Sequence, residues 1–246
     1  MTKRIAVVTG ASSGIGEASA RRLAADGFEV ICAARRVDRI EALARDIGGR
    51  AVECDVTVAA DVARLAQVAG DRVDLIFANA GNAIGVDPVA TANLDDWRAM
   101  YEVNVLGAVS TIQALLPAAI TAHGTILAMS SYAAIAPYEG GGGYCGVKAA
   151  VRSMIGSLRL ELWDKPVRIC EIEPGMVATP EFTLNRLGGD QEKADSTYRG
   201  VKGGPLTADD IARIVAFVAG QPEHVNLDSI LVRPRAQASK DKVDRE

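Results

Sequence analysis

Histidine is scarce in this chain. Its 246 residues include only two, His123 and His224, and both fall in expected loops. A Ser-His-Asp triad or a histidine-ligated metal site needs imidazoles in defined geometric roles, so neither is expected. Cysteine is little richer: Cys32, Cys54, Cys145 and Cys170 form no C-x-x-C pair. Three of the four fall in predicted buried strands, where a free thiol behaves as a small hydrophobe. Disulfides are therefore not expected, and a reducing, cytoplasmic setting is. No run of eighteen apolar residues occurs, so no membrane span is expected. Met1-Thr2-Lys3-Arg4 leads straight into a strand, without the apolar core of a signal peptide. Net charge is −4 and no basic block stands out, which argues against a nucleic-acid partner. There is no Pro/Ser-rich linker and no repeat at solenoid spacing, so residues 1–246 read as one domain.

What is present is a regular alternation. Short β-branched runs at 5–8, 29–34, 51–54, 73–78, 125–129, 167–172 and 226–232 read as strands. Helical patterns lie between them: one after Gly16, then 37–47, 59–69, 93–122, 144–163 and 207–219. Pro117 is expected to kink or divide the long pattern at 93–122. Seven strands with intervening helices predict an α/β, single-domain, Rossmann-type doubly wound parallel sheet with helices on both faces. The irregular segment 176–204 reads as a substrate lid. Residues 233–246 form a charged C-terminal tail, expected to be mobile.

Ligands of such a sheet gather at the strands' C-terminal ends, so the residues there matter most. The first strand leads into Thr9-Gly10-Ala11-Ser12-Ser13-Gly14-Ile15-Gly16, a glycine turn opening a helix. Such a turn lets backbone approach a pyrophosphate, and the helix N-terminus offers free N–H groups to it. Taken alone it also fits an ordinary glycine turn. The second strand ends in Ala34-Arg35-Arg36, where an NAD binder usually places an acid. Guanidinium groups there favour the 2′-phosphate of NADP(H), although two arginines also suit a solvated helix start. Asp55-Val56, Asn79-Ala80-Gly81, Ser130-Ser131 and Pro174-Gly175 end the next four strands. Tyr144 and Lys148 lie four apart on one predicted helix, a pair common on helices for structural reasons. With Ser131 they form a possible proton-handling group: a nearby ammonium lowers a phenol's pKa from its ordinary value of about 10.

As a set, Thr9-Gly10-x-x-x-Gly14-x-Gly16, Asp55, Asn79-Ala80-Gly81, Asn104, Ser131, Tyr144-x-x-x-Lys148 and Pro174-Gly175-x-x-x-Thr179 resemble the motifs of the short-chain dehydrogenase/reductase superfamily, in order and at its spacings. The resemblance implies NADP(H)-dependent hydride transfer to or from a small-molecule carbonyl or alcohol. It implies Tyr144 as acid/base, Lys148 on the nicotinamide ribose, Ser131 on the substrate oxygen and Asn104 in a water relay. It further implies Asp55 near the adenine, Asn79 to Gly81 behind the adenosine ribose, and Val177 backbone with Thr179 on the nicotinamide amide. Such proteins are usually tetramers or dimers.

Ala34-Arg35-Arg36, Asp96-Trp97, Asn104-Val105-Leu106-Gly107, Ile172-Glu173-Pro174-Gly175 and Leu231-Val232-Arg233-Pro234 resemble one branch in particular. It contains NADP-dependent 3-hydroxy acid and serine dehydrogenases and aldehyde reductases of pathways such as the clavulanate one. Ala78 and Val147 depart from the usual residues at places the chemistry does not need. Gly140 to Gly143 predict a flexible, bare wall beside Tyr144. Arg186 and Arg199, in the lid, are either exposed charges or receptors for a substrate carboxylate. The sequence does not choose between an acid and a neutral carbonyl. A dinucleotide-binding regulator without turnover is the alternative, and retention of both Tyr144 and Lys148 counts against it.

Overall fold

The computed structural model describes residues 3–246. In chain order the elements are β1 (Arg4–Thr9), α1 (Gly14–Ala25), β2 (Phe28–Ala34), α2 (Val37–Ile47), β3 (Arg50–Glu53), α3 (Ala59–Ala69), β4 (Leu75–Ala78) and α4 (Leu94–Tyr101). A π turn (Glu102–Leu106) and α5 (Gly107–Ala122) continue α4. Then follow β5 (Thr125–Met129), α6 (Gly142–Glu161), β6 (Arg168–Pro174), β7 (Val177–Ala178), α7 (Phe182–Arg186), α8 (Gln191–Tyr198), β8 (Leu206–Thr207), α9 (Ala208–Ala219) and β9 (Ser229–Val232).

Seven strands form one sheet in the order β3-β2-β1-β4-β5-β6-β9, and every pairing is parallel. The doubly wound expectation holds. Alternation along the strands explains the layers. Val7, Ile31, Ala33, Ile76 and Ile126 point to one face and meet Leu65 of α3, Ile112 and Leu115 of α5 and Val151 and Ile155 of α6. Ala6, Val8, Val30, Cys32, Leu75, Phe77 and Leu127 point to the other and meet Leu23 of α1, Ile40 and Leu43 of α2 and Ile211 and Val215 of α9. A wholly buried side chain such as Phe77 contributes roughly 2–3 kcal/mol through apolar area removed from water. All four cysteines are free and buried.

Two expectations need correction. The long helix is not divided at Pro117, which sits inside α5; the irregularity is the π turn at Glu102–Leu106, which carries Asn104. The 29-residue run Leu94–Ala122 is long and apolar enough to cross a membrane by composition, yet it buries Met100, Val105, Ile112 and Leu115 in the core, as a core helix does. The tail is not free. Gln237 is buried, its Oε1 accepting from Met176 N at 2.8 Å, and Lys202 N donates to Asp244 O at 3.1 Å. Residues 233–246 thus brace the lid.

Two acids alternate with Cys170 and Ile172 on β6 and so face α6. Glu173 is paired with Arg152 and accepts from Ser229 Oγ at 3.0 Å. Glu171 is also buried, and its Oε2 has no hydrogen-bond partner. Burial, with the neighbouring Glu173 carboxylate, raises its carboxyl to about 7, against Arg152 and Arg159. A folded pKa above the unfolded value means the native state binds the extra proton, so stability falls as pH rises from about 4.5 through 7. Glu171→Gln should therefore be more stable than wild type at pH 8, by about 2 kcal/mol. That advantage should fade towards pH 5. Denaturant titrations at both pH values check this; parallel pH profiles for the two proteins would contradict it.

Candidate active site

Strand order reverses between β1 and β4, and a crevice opens there at the C-terminal ends. Thr9 holds its two edges together. Its Oγ1 accepts from Asn79 N at 3.0 Å and Ala80 N at 3.1 Å, while Asn79 Nδ2 donates to Thr9 O at 2.9 Å. The glycine turn follows at once. Gly10 has φ 67° and Gly14 φ 55°, both in the left-handed region. Gly16 leaves no room for a side chain: a Cβ there would lie 2.3 Å from Gly10 O and 2.7 Å from Asn79 Nδ2. The turn feeds the N-terminus of α1, a 12-residue helix whose first N–H groups face the crevice without side-chain capping.

The two arginines after β2 diverge. Arg36 turns inward, donating from Nε to Ser12 Oγ at 3.0 Å and from Nη2 to Ser13 Oγ at 2.8 Å. Its Nη1 donates to Glu181 Oε2 at 2.6 Å, and Arg39 donates to Glu181 Oε1 at 2.5 Å. Burial pushes the Glu181 carboxyl up, but hydrogen bonds from Arg39 and Arg36 outweigh it and hold it down at about 2. Arg35 stays largely exposed and approaches Asp55 at 3.9 Å. Asp55 Oδ1 accepts from Thr57 N and Oγ1, which orients it at the end of β3. Val56 is buried against Gly107.

The polar cluster lies at the ends of β4, β5 and α6. Lys148 is buried, and its Nζ donates to Met129 O at 2.9 Å. Burial alone lowers its ammonium to about 8. Tyr144, one turn earlier, is half-buried, its ring edge-on to Phe182 at 5.7 Å and 5.8 Å from Lys148 Nζ. Burial raises the Tyr144 phenol above its ordinary value; Ser131 and Arg186 act in the opposite direction. The lowering expected from the Lys148 ammonium does not appear in this structure, and desolvation decides the direction. Ser131 Oγ accepts from Ala133 N at 3.1 Å and points to Pro174 O at 3.5 Å. Asn104 Nδ2 donates to Met100 O, Asn82 O and Asn82 Oδ1, and its buried Oδ1 has no partner. The π turn aims that oxygen at Gly81, where a Cβ would lie 2.7 Å from it and 3.6 Å from Lys148 Nζ.

Gly140 to Gly143 do not make a loose wall. Gly142 and Gly143 are the first turn of α6, and a Cβ on Gly143 would lie 2.7 Å from both Met100 and Trp97. Lack of side chains lets α6 seat directly on α4, which fixes the position of Tyr144.

These groups meet in one cavity of about 480 Å³. Gly10, Ser12, Ser13, Gly14, Ile15, Gly16, Arg35, Arg36, Asp55, Val56, Asn79, Ala80, Gly81, Asn104, Ser131, Tyr144, Lys148, Pro174, Gly175, Val177 and Thr179 all line it. Sequence reasoning overlooked Asn82, Tyr138, Glu181, Phe182, Gln237 and Lys240, which line it as well. No local motif marks them; Glu181, Phe182, Gln237 and Lys240 belong to the lid and tail, which reach the site only through tertiary folding. Arg186 lines the cavity; Arg199 does not. A dinucleotide fits this wall on structural grounds. The glycine turn leaves a cradle that a side chain would fill, and Thr179 Oγ1 is buried without a partner. No group of three or more His, Cys, Asp or Glu suited to a metal occurs among the described residues.

A family model for short chain dehydrogenases matches residues 4–186. The chain belongs to the short-chain dehydrogenase family. Serine 3-dehydrogenase of Agrobacterium fabrum (strain C58 / ATCC 33970) is 42% identical over 237 residues, covering 94% of each chain. The NADP-dependent 3-hydroxy acid dehydrogenase YdfG of Salmonella typhi is 36% identical over 240 residues, covering 95% of this chain and 96% of that protein. A solved structure of the closed form of serine dehydrogenase complexed with NADP+ superposes with a TM-score of 0.91 at 33% identity, over 98% of this chain and 100% of its own. The chain is thus an oxidoreductase of this family.

The close approach at Gly16 gives a direct check. Gly16→Ala should fold yet bind nicotinamide dinucleotide at least about tenfold more weakly, because the turn must open to admit the methyl group. Fluorescence titration reads the affinity, and undiminished binding would contradict the cradle.

Proposed function

We propose that the chain is an NADP-dependent dehydrogenase interconverting a 3-hydroxy acid and its 3-oxo acid, with Tyr144 as the acid/base. One observation carries the choice of an acid over a neutral carbonyl. Arg186 of the lid stands 5.3 Å from the centroid of the Tyr144 ring and 5.5 Å from that of Tyr138. Its Nη1 donates to Tyr138 Oη and its Nε to Gly85 O, while its Nη2 is buried without a partner. A half-satisfied guanidinium in the cavity wall beside the acid/base suits a carboxylate close to the reacting carbonyl. The names of the relatives agree with that class.

NADP(H), when bound, supplies or accepts the hydride. The residues of the chain hold it and manage the proton. Gly10, Ser12, Ser13, Gly14, Ile15 and Gly16 receive the pyrophosphate side at the N-terminus of α1. Arg35 and Arg36 receive the 2′-phosphate. Asp55 and Val56 flank the adenine, Asn79, Ala80 and Gly81 back its ribose, and Pro174, Gly175, Val177 and Thr179 face the nicotinamide amide. Lys148 faces the nicotinamide ribose. In the reductive direction Tyr144 gives its phenolic proton to the carbonyl oxygen, which Ser131 also holds by a hydrogen bond. An ammonium on Lys148, present below about pH 8, favours the phenolate left behind. Asn104 Oδ1 accepts from a water that returns the proton. The high phenol pKa suits the donor role, since Tyr144 stays protonated at neutral pH. We place the enzyme in the cytoplasm, in keeping with four free buried cysteines. A homo-oligomer, dimer or tetramer, would cover the exposed Leu160, Trp163 and Phe217.

Two variants test the reading. Tyr144→Phe should lower kcat about a hundred- to ten-thousandfold, the range for loss of a general acid, with NADPH affinity retained. Unchanged turnover would remove Tyr144 from its role. Arg186→Leu should raise KM for a 3-hydroxy acid at least about tenfold while sparing a neutral secondary alcohol of the same length. Equal effects on both would assign Arg186 to lid packing.

A further inference from the structure

One acid of the lid reaches the arginines that border the phosphate turn. Glu181 is the N-cap of α7, yet its side chain caps nothing there. Both carboxylate oxygens go instead to guanidinium groups, Oε2 to Arg36 and Oε1 to Arg39, at 2.6 and 2.5 Å. Arg36 is shared with the serines of the glycine turn, so the acid stands beside that turn and lines the same cavity. Two guanidinium groups and two hydroxyls form a receptor for an anion with several oxygens. The carboxylate supplies one charge and two oxygens. A phosphate monoester supplies about −1.5 to −2 charges and three oxygens to the same donors. Both anions on one guanidinium pair would set like charges against each other at close range.

We propose that Glu181 is an internal stand-in for the 2′-phosphate of NADP(H), occupying the Arg36–Arg39 pair until the phosphate replaces it, and so sets how tightly the enzyme holds this cofactor rather than NAD(H). The inference rests on the reading above that Arg36 receives the 2′-phosphate. It adds Arg39 to that receptor, one turn along α2, and it gives Glu181 a role in specificity that neither the glycine motif nor the acid/base cluster requires. The carboxyl is ionised throughout the neutral range, so any pH dependence of the competition comes from the phosphate, which loses its second proton at about pH 6. A different role for the same contacts predicts the opposite. If Glu181 served to hold Arg36 in place for the cofactor, its removal would loosen the guanidinium and weaken binding.

Calorimetric titration with adenosine 2′,5′-bisphosphate and adenosine 5′-phosphate separates the two, because these probes differ only in the 2′-phosphate. Glu181→Gln and Glu181→Ala should each bind the bisphosphate about tenfold more tightly than wild type and the monophosphate within about twofold of it. The monophosphate also reports that each variant is folded. Unchanged or weaker bisphosphate binding would overturn the proposal, as would an equal gain for both probes. Arg36→Ala tells the two readings apart. If it retains the wild-type preference for the bisphosphate, the assignment of Arg36 itself fails. If it loses that preference while Glu181→Gln gains nothing, the stand-in alone fails.

Discussion

The site depends on how β1 and β4 are kept together where the winding of the sheet reverses. Adjacent strands whose crossovers leave in opposite directions part at their C-terminal ends, and backbone donors there lose their ladder partners. Thr9 and Asn79 make up the loss. One hydroxyl takes two N–H groups from the end of β4, and one side-chain amide takes the last carbonyl of β1. Gly16 packs against that join so closely that even a methyl group would force the turn to open. The phosphate turn, the floor of the cavity and the entry of α1 are therefore one unit, held by hydrogen bonds worth about 1 kcal/mol each net but costly to leave unmade.

A second tension lies on the other side of the cavity. Lys148, Asn104, Thr179, Ser130 and Glu171 put polar atoms into buried surroundings, and all but Lys148 leave at least one without a partner. Most buried polar atoms in folded proteins are paired, so a cluster of exceptions calls for a reason. For Asn104 and Thr179 the reason is position, since each lines the cavity and keeps an acceptor or donor for a molecule that enters it. The π turn that presents Asn104 belongs to the same account: an extra residue in the helical turn re-aims one side chain, a frequent device at functional sites. Glu171 and Ser130 share a neighbourhood under α6, which lies at the edge of this cluster, and Glu171 carries a cost in stability rather than a role in the cavity.

Much of this was legible in the sequence, for a physical reason. Parallel strands bring their ends to one edge, so residues far apart in number but equivalent in register become neighbours. The glycine turn, Asp55, Asn79 to Gly81 and Ser131 could thus be placed at one sheet edge, while Tyr144, Lys148 and Thr179 joined them through resemblance to the family's motif set; all line one cavity. The lid was legible as a segment, with Arg186 under two readings, but its contacts and those of the tail were not. Glu181, Arg186, Gln237 and Lys240 lie in segments without periodicity, and their partners at Arg36, Tyr138, Met176 and the Tyr138 ring are distant in sequence. The glycine run before Tyr144 misled for a related reason. Its bareness suggested freedom, whereas the absent side chains are what lets α6 seat on Trp97 and Met100.

The central claim is that hydride and proton meet at the carbonyl of a 3-oxo acid held between Tyr144 and Arg186. The most direct measurement follows the hydride. A 3-oxo carboxylate incubated with NADPH deuterated on the transferring face at nicotinamide C4 should give a 3-hydroxy acid carrying the label on C3, seen by mass spectrometry and proton NMR. A reduced product with no deuterium at C3, or no product while neutral ketones are reduced and labelled, would contradict the account.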